Sequence, residues 1–306
     1  MDFGIIGTGA MGGVFGAHLA ANGETVRCFD IDTDIIETIQ TEGLRVERPG
    51  RTDLRTHPEA STNPTALGVV DVAFVFTKTI DTITALEDAA PMLDESTRVV
   101  TVQNGLGNVE RVAREVRDDR VLGGYTRAGA NTVEPGRVRQ LTQGETVVGG
   151  DDVEFAERIV RRLSAAGLES EAVRDPEPYI WDKAWTNVAV KPVAALSELR
   201  NGPMIEIEET RAAMTTLIEE AIAVARAKGV EILADDPVSL VVDRELDAAG
   251  QEKKSSILED IEAGRPTEIQ HINGAVADLG DEFDIATPYN RLATQLVKGK
   301  ERSYLD

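Results

Sequence analysis

The chain has 306 residues, of which 42% are hydrophobic, and this length is sufficient for two domains that each bury a core. Acidic residues number 54 against 32 basic ones, which gives a formal net charge of −22. Such a surface repels phosphate backbones and anionic headgroups, so we expect neither nucleic acid nor a membrane as a partner. Only eight basic residues are lysines; this balance is typical of proteins from salt-loving organisms, with an acidic mesophilic enzyme as the alternative.

The cysteine and histidine content gives no indication of a disulfide or a metal site. Cys28 is the only cysteine, which excludes an intramolecular disulfide and fits a reducing cytoplasm. The three histidines lie far apart in sequence, so we expect no metal. Met1 leads directly into DFGIIGTG, without a basic region and a long apolar segment, which predicts a cytoplasmic, unexported protein.

The periodicity of the apolar residues divides the chain into two parts. Up to about residue 150, helical segments alternate with predicted strands: FGII, TVRCF, VVDVAFVF, RVVTV, VLGGYTRAGA and ETVVGG. This alternation predicts a Rossmann-type α/β domain with a doubly wound, mostly parallel sheet. Beyond about 155, helical periodicity predicts an all-α domain, with segments at 157–166, 177–199, 205–228 and 266–280. The polar run at 168–178 has the composition of a linker, and we divide the domains into 1–172 and 173–306.

A glycine motif, G-x-G-x-x-G, lies between the first predicted strand and the first predicted helix, at Gly7, Gly9 and Gly12. In this context it predicts a dinucleotide site, with the pyrophosphate at the helix N-terminus. The alternative is that the glycines serve only a tight turn. The predicted cofactor contacts in this segment are Gly7, Thr8, Gly9, Ala10, Met11 and Gly12.

The second predicted strand, TVRCFDID, ends at Asp30, 18 residues after Gly12. An acidic side chain at this place accepts hydrogen bonds from the adenosine ribose hydroxyls and repels a 2′-phosphate. Asp30 therefore favours NADH over NADPH. Arg27 lies close enough in sequence to leave NADPH as the alternative.

Polar residues also follow two later strands. DVAFVFTK ends in Lys78, the only lysine among the first 182 residues, and RVVTVQNG contains Gln103 and Asn104. Ligands of open α/β sheets bind outside the carboxyl ends of the strands, so Lys78 and Asn104 are candidate contacts for cofactor or substrate. For Asn104, the alternative is that Asn-Gly only shapes a turn.

The predicted helix at 177–199 contains IWDKAWTNVAVKP, in which Lys183, Asn187 and Lys191 lie four residues apart. This spacing places all three side chains on one stripe of the helix. The surrounding residues are apolar, which predicts a buried helix. Burying a lysine ammonium is unfavourable, so these lysines indicate a functional site; the alternative is a solvated lysine face. Pro192 removes the backbone hydrogen bond to residue 188 and perturbs the geometry near Lys191.

A second polar region, KSSILEDIEAGRPTEIQHING, contains Ser256, Glu268 and Asn273. Glu268 follows Pro266 and Thr267 at a predicted helix start. By itself it is equally well explained as a first-turn acid favoured by the helix dipole.

Five segments together resemble the ketopantoate reductase (2-dehydropantoate 2-reductase) family: GTGAMGG at 7, TK at 77, QNG at 103, WDKAWTNVAVKPVAAL at 181 and SSILEDIEAGRPTEIQHINGAV at 255. The resemblance runs from residue 3 to about 298. It implies a Rossmann domain followed by a helical domain, and NAD(P)H-dependent reduction of ketopantoate to D-pantoate for pantothenate and coenzyme A synthesis. Most family members prefer NADPH, whereas Asp30 argues for NADH.

The resemblance also implies roles for individual residues. Lys183 is the catalytic acid and Glu268 its catalytic partner. Lys78 lies near the cofactor and substrate, and Asn104 and Glu268 also belong to the expected cofactor site. The expected substrate contacts are Asn104, Asn187, Lys191 and Ser256.

Lys191 departs from the family, whose members usually carry Asn there. It either replaces an amide that holds a substrate hydroxyl or pairs with a second carboxylate on another 2-keto acid. The main alternative is therefore an NADH-dependent D-2-hydroxyacid dehydrogenase of the same family; a β-hydroxyacid dehydrogenase would not explain Thr267–Glu268–Ile269. A catalytically inactive dinucleotide-binding sensor is the alternative from another class. Family members are monomers or dimers, and the helix at 205–228 is a candidate face for a homodimer.

Overall fold

The computed structural model describes residues 1–246 and 254–305, which form two compact units. The first unit comprises Met1–Gln103 and Asn108–Pro176. The second comprises Asn104–Gly107 and the described residues from Glu177 onward. The predicted boundary at 172/173 lies just before the division at Pro176.

The first unit contains twelve described strands in two sheets. They are β1 (Asp2–Ile6), β2 (Thr25–Phe29), β3 (Leu44–Glu47), β4 (Leu54–Thr56), β5 (Glu59–Ser61), β6 (Val72–Val75), β7 (Arg98–Thr101), β8 (Val121–Thr126), β9 (Gly129–Glu134), β10 (Arg137–Thr142), β11 (Thr146–Gly149) and β12 (Ser170–Val173). The larger sheet has the order β12-β11-β8-β7-β6-β1-β2-β5, and its strands pair in parallel except for β11 with β8. The predicted mostly parallel α/β fold is confirmed.

Helices cover both faces of the larger sheet, which is why strands such as β6 are buried at every position. Alternate residues enter two different cores: Ile5 and Phe74 belong to one, and Ile6 and Val75 to the other. The helices of this unit are α1 (Ala10–Ala21), α2 (Thr33–Glu42), α3 (Pro64–Leu67), α4 (Thr82–Asp88), α5 (Asn108–Glu115) and α6 (Val153–Ala165), with short 3-10 turns at Thr79–Asp81, Ala90–Met92 and Asp118–Arg120.

Two features of the first unit differ from the sequence prediction. The predicted strand VLGGYTRAGA is two strands, because β8 ends at Thr126 in the larger sheet while β9 begins at Gly129 in a four-stranded sheet of order β4-β3-β10-β9. The linker prediction for 168–178 is wrong at Ser170–Val173, which is the edge strand β12 paired with β11. An edge strand has only one neighbour and tolerates polar residues, so its composition resembles that of a loop.

The second unit is helical in its described residues, as predicted. Its helices are α7 (Glu177–Ser197), α8 (Asn201–Glu206), α9 (Glu208–Lys228), α10 (Pro237–Leu246), α11 (Ser256–Glu262), α12 (Ile269–Glu282) and α13 (Pro288–Leu305). Helix α7 is central, and α9, α11, α12 and α13 all pack against it. It is buried on several faces, and the rings of Trp181 and Trp185 lie 5.3 Å apart within its core.

Candidate active site

The glycine motif forms the turn between β1 and α1, as the sequence predicts. A Cβ on Gly12 would lie 2.0 Å from the Gly7 carbonyl oxygen, so only glycine permits this close packing of helix and turn. A Cβ on Gly9, in contrast, would meet no atom within 4 Å. Gly9 caps α1, whose first turn carries no acidic residue. The turn therefore offers open space and helical N–H groups to an anionic group such as a pyrophosphate.

Asp30 lies directly after β2, and its carboxylate is held by the backbone. One oxygen accepts from the Thr8 N–H at 2.6 Å and the other from the Asp32 N–H at 3.0 Å. The carboxylate is thus fixed beside the glycine turn. Arg27 points elsewhere: its guanidinium pairs with Asp2 at 2.9 Å and donates to the Val69 carbonyl at 2.6 Å.

The residues after β6 and β7 are joined by Gln103. Its side-chain amide donates to the Thr77 carbonyl at 2.6 Å and to the Thr82 hydroxyl at 3.0 Å. Lys78 follows Thr77 and caps the 3-10 turn Thr79–Asp81, with its side chain half-buried. Gln103 therefore fixes the backbone on which Lys78 is carried.

The second unit brings Lys183 and Asn104 together although they are 79 residues apart. The Lys183 ammonium donates to Asn104 Oδ1 at 2.6 Å, and both residues are half-buried. A short bond of this kind holds the amine on one side of the segment Asn104–Gly107.

That segment is fixed to α12 by its backbone. The Leu106 N–H donates to the His271 carbonyl at 3.0 Å, and Leu106 is buried in the helical core. Gly105 has φ +95°, and a Cβ there would lie 2.4 Å from the same carbonyl oxygen. The Gly of Asn-Gly is thus required by a close approach, in addition to the turn.

Lys191 pairs with Glu268. Its ammonium lies 3.3 Å from Glu268 Oε2, and their side chains are 6% and 20% exposed. Lys191 lies two turns after Lys183 on α7, and Glu268 caps the N-terminus of α12. Lys191 thus has a carboxylate partner within the protein, whereas one of the two sequence interpretations paired it with a carboxylate of the substrate.

The structure places the two remaining candidates nearby in the same unit. Asn187 is half-buried on α7 between the two lysines, and no hydrogen bond of its side chain is seen within residues 1–246 and 254–305. Ser256 is the first residue of α11, which packs against α7, and its side chain is exposed. The structure brings Lys183 to Asn104 and Lys191 to Glu268, and among the described residues it shows no hydrogen bond between the Ser256 side chain and either pair.

Three further observations concern the only cysteine, metal binding and membrane spans. Burial raises the pKa of Cys28 to about 12, so this residue remains a neutral thiol rather than a nucleophile. In the described part of the chain no group of three or more His, Cys, Asp or Glu side chains is arranged to hold a metal. In the same residues, no helix combines the length and apolarity needed to cross a membrane.

Comparison with protein families assigns this architecture. The model of Ketopantoate reductase PanE/ApbA matches residues 3–152, and that of its C-terminal part matches residues 175–301. The chain belongs to the ketopantoate reductase family. It is accordingly a 2-dehydropantoate 2-reductase-like oxidoreductase, with the Rossmann fold and nicotinamide dinucleotide site of this family.

Individual ketopantoate reductase relatives match almost the whole chain. The 2-dehydropantoate 2-reductase of Archaeoglobus fulgidus is 33% identical over 97% of both chains, and that of Halobacterium salinarum is 30% identical over 97% of both. Among solved structures, a ternary complex of D-mandelate dehydrogenase with NADH and anilino(oxo)acetate has a TM-score of 0.92 at 25% identity, covering 99% of both chains.

Sequence reasoning did not identify two contributions from α12. The His271 backbone carbonyl holds the segment of Asn104, and the Asn273 side chain donates to the Val188 carbonyl at 2.9 Å. A backbone acceptor has no sequence signal. For the Asn273 contact the sequence does contain a signal: Pro192 cannot donate to the Val188 carbonyl, so another group must do so.

Proposed function

We propose that this chain reduces a 2-oxo acid, 2-dehydropantoate, to the D-hydroxy acid D-pantoate, with Lys183 as the proton donor. The observation that carries the proposal is the hydrogen bond of 2.6 Å between Lys183 and Asn104 in a chain of this family. The dinucleotide supplies a hydride to the ketone carbon. Charge then develops on the ketone oxygen, and the Lys183 ammonium donates a hydrogen bond to that oxygen and finally its proton.

Asn104 positions this donor. Its Oδ1 accepts one N–H of the ammonium, which restricts the directions of the other two. The Asn104 segment is itself fixed by Leu106 and Gly105 against α12, so the donor does not need to reorganise when the charge forms. We assign Asn187 and Ser256 to the polar groups of the substrate.

The pairing of Lys191 favours a substrate without a second carboxylate. Glu268 neutralises the Lys191 charge at 3.3 Å, and a 2-oxo diacid would bring another negative charge toward Glu268. A hydroxyl group, as in 2-dehydropantoate, can donate to Glu268 and accept from Lys191. We therefore place both residues at the distal end of the substrate, and this proposal departs from the resemblance, which implies Glu268 as the catalytic partner of Lys183.

NADH is the cofactor that we propose. The residues that suit it are Gly7, Thr8, Gly9, Ala10, Met11 and Gly12 for the pyrophosphate and Asp30 for the ribose hydroxyls. Asp32 and Asp34 follow Asp30, so a 2′-phosphate would meet several carboxylates. Arg27, the one nearby cation that the sequence offered for NADPH, is engaged by Asp2.

The second candidate is an NADH-dependent D-2-hydroxyacid dehydrogenase with another substrate. It is favoured by the likeness to the D-mandelate dehydrogenase structure and by Lys191 at a position where the family usually has Asn. Its substrate would be a 2-oxo acid with an apolar side chain, such as phenylglyoxylate.

A steady-state assay separates these candidates. The substrates are 2-dehydropantoate, phenylglyoxylate and 2-oxoglutarate, each with NADH and with NADPH, in low and in high KCl because of the net charge of −22. We expect the highest kcat/KM for 2-dehydropantoate with NADH. A higher value for phenylglyoxylate would select the second candidate, and a preference for 2-oxoglutarate would contradict the assignment of Lys191 and Glu268.

A further inference from the structure

Helix α7 continues through a proline, and the broken backbone hydrogen bond is replaced by a side chain from another helix. Pro192 lies inside α7 and has no N–H to donate to the carbonyl of Val188 four residues earlier. Asn273 of α12 donates its side-chain amide to that carbonyl at 2.9 Å. Asn273 is completely buried, so water cannot take its place.

This hydrogen bond joins the parts of the site that carry Lys191 and Glu268. Val188 precedes Lys191 by less than one turn of α7, and Asn273 lies in the second turn of α12, which begins directly after Glu268. The bond therefore fixes the start of α12 against α7 beside the ion pair. With the Leu106–His271 bond, it also fixes α12 relative to the segment of Asn104.

Asn273 also forms a hydrogen bond with Asn290 of α13. The same amide nitrogen donates to Asn290 Oδ1 at 2.9 Å, and the Asn290 amide donates to Glu220 at 2.8 Å and to the Leu217 carbonyl at 3.0 Å. Both donors of Asn273 are thereby used. Turning its amide over would place Oδ1 against two oxygen acceptors, so only one orientation satisfies the network.

Asn273 has one buried polar atom that is not satisfied within the described residues. Its Oδ1 is buried and accepts no hydrogen bond from any residue in the described ranges. An alanine in place of Pro192 would restore the helical donor for Val188, and a leucine in place of Asn273 would then leave only Asn290 Oδ1 without its donor. Pro192 and Asn273 thus replace a hydrogen bond within α7 by one that joins α7 to α12.

We propose that Asn273 is a positioning residue for the reaction: through Val188 it holds α12, and with it Glu268, at the spacing from Lys191 and Lys183 that the substrate requires. Only the expected change in kcat/KM rests on the proposed function. Its geometric content, the position of Glu268 relative to Lys191, is independent of which 2-oxo acid is reduced.

A cycle of variants separates positioning from stability: Asn273→Leu and Pro192→Ala, alone and combined. Asn273→Leu leaves the Val188 carbonyl and Asn290 Oδ1 without their donor, and we expect Tm to fall by about 5 °C. In the Pro192→Ala background the new N–H serves Val188 and only Asn290 Oδ1 loses its donor, so the same substitution lowers Tm by less than in the parent. The hydrogen bond between α7 and α12 is absent in both backgrounds, so Asn273→Leu lowers kcat/KM about tenfold or more in both.

The matched control is Asn290→Leu, which removes an equally buried asparagine of the same network but leaves the bond from Asn273 to Val188. We expect it to lower Tm while kcat/KM stays within about threefold of the parent. If Asn273→Leu regains kcat/KM together with Tm in the Pro192→Ala background, Asn273 acts only through stability and the proposal is wrong. The proposal is also wrong if Asn273→Leu has the parent's kcat/KM.

Crystal structures of the parent and of Asn273→Leu give the readout that does not depend on activity. We expect the distance from Lys191 Nζ to Glu268 Oε2 to increase beyond 3.3 Å in the variant. A distance that is the same in the parent and the variant overturns the proposal, whatever the kcat/KM of the variant. If the parent reduces none of the 2-oxo acids, the proposed function fails, whereas this distance still decides the positioning claim.

Discussion

Within the ion pair of Lys191 and Glu268, we expect removal of the Glu268 charge to lower stability more than removal of the Lys191 charge. The Lys191 side chain is 6% exposed and that of Glu268 is 20% exposed. Glu268→Gln leaves an almost buried ammonium without its carboxylate, and we expect a loss of about 3 kcal/mol of unfolding free energy, the lower end for breaking a buried pair. Lys191→Met leaves a carboxylate that still contacts water, so its cost is only about 1 kcal/mol. The double variant should cost about 2 kcal/mol less than the sum of both.

Urea unfolding followed by tryptophan fluorescence measures these values. The chain has two tryptophans, Trp181 and Trp185, and both lie in α7, so the signal reports on the helical unit that contains the pair. Lys298→Met serves as the control, because Lys298 is exposed and its removal should cost less than about 0.5 kcal/mol. Additive effects of the two substitutions, or a higher cost for Lys191→Met than for Glu268→Gln, would refute the reasoning.

Three further predictions concern other parts of the molecule. Gly105→Ala places a Cβ 2.4 Å from the His271 carbonyl oxygen at φ +95°, and we expect kcat to fall at least about tenfold, whereas a parent-like kcat would show that the segment can move freely. Asp30→Asn should raise kcat/KM for NADPH relative to NADH by about tenfold; an unchanged ratio in the cofactor assay would exclude Asp30 from this choice. Burial raises the pKa of Cys28 from 9.0 to about 12, so the unfolded chain loses this proton first and stability falls between those values. By about pH 10.5 the loss due to Cys28 is about 2 kcal/mol, and Cys28→Ala should remove that part of the alkaline decrease in urea unfolding; an identical pH dependence would contradict the burial argument.

Local sequence signals predicted the parts of the fold and site that depend on neighbouring residues. The glycine turn, Asp30 after β2 and the long helix α7 all follow from spacing within a few residues, and the structure forms each of them. The stripe of Lys183, Asn187 and Lys191 is likewise a consequence of helical periodicity.

Signals that depend on distant partners were missed. The four-stranded sheet pairs Arg137 with Arg45, and its short, charged strands have little apolar periodicity. Ser170–Val173 became a strand only because β11 offers it a neighbour. Glu268 was found as a helix-start acid, but its partner 77 residues away was set by the packing of α12 against α7.

The role of Lys183 as proton donor is tested by measuring the reduction of 2-dehydropantoate by the parent and by Lys183→Met, together with NADH binding followed by fluorescence. We expect the parent to oxidise NADH with this substrate, and the variant to bind NADH equally well with kcat about 10²- to 10⁴-fold lower. An unaltered kcat in Lys183→Met would contradict the role of Lys183. Tight dinucleotide binding by the parent, without oxidation of NADH or NADPH by any 2-oxo acid, would contradict the proposed reaction itself.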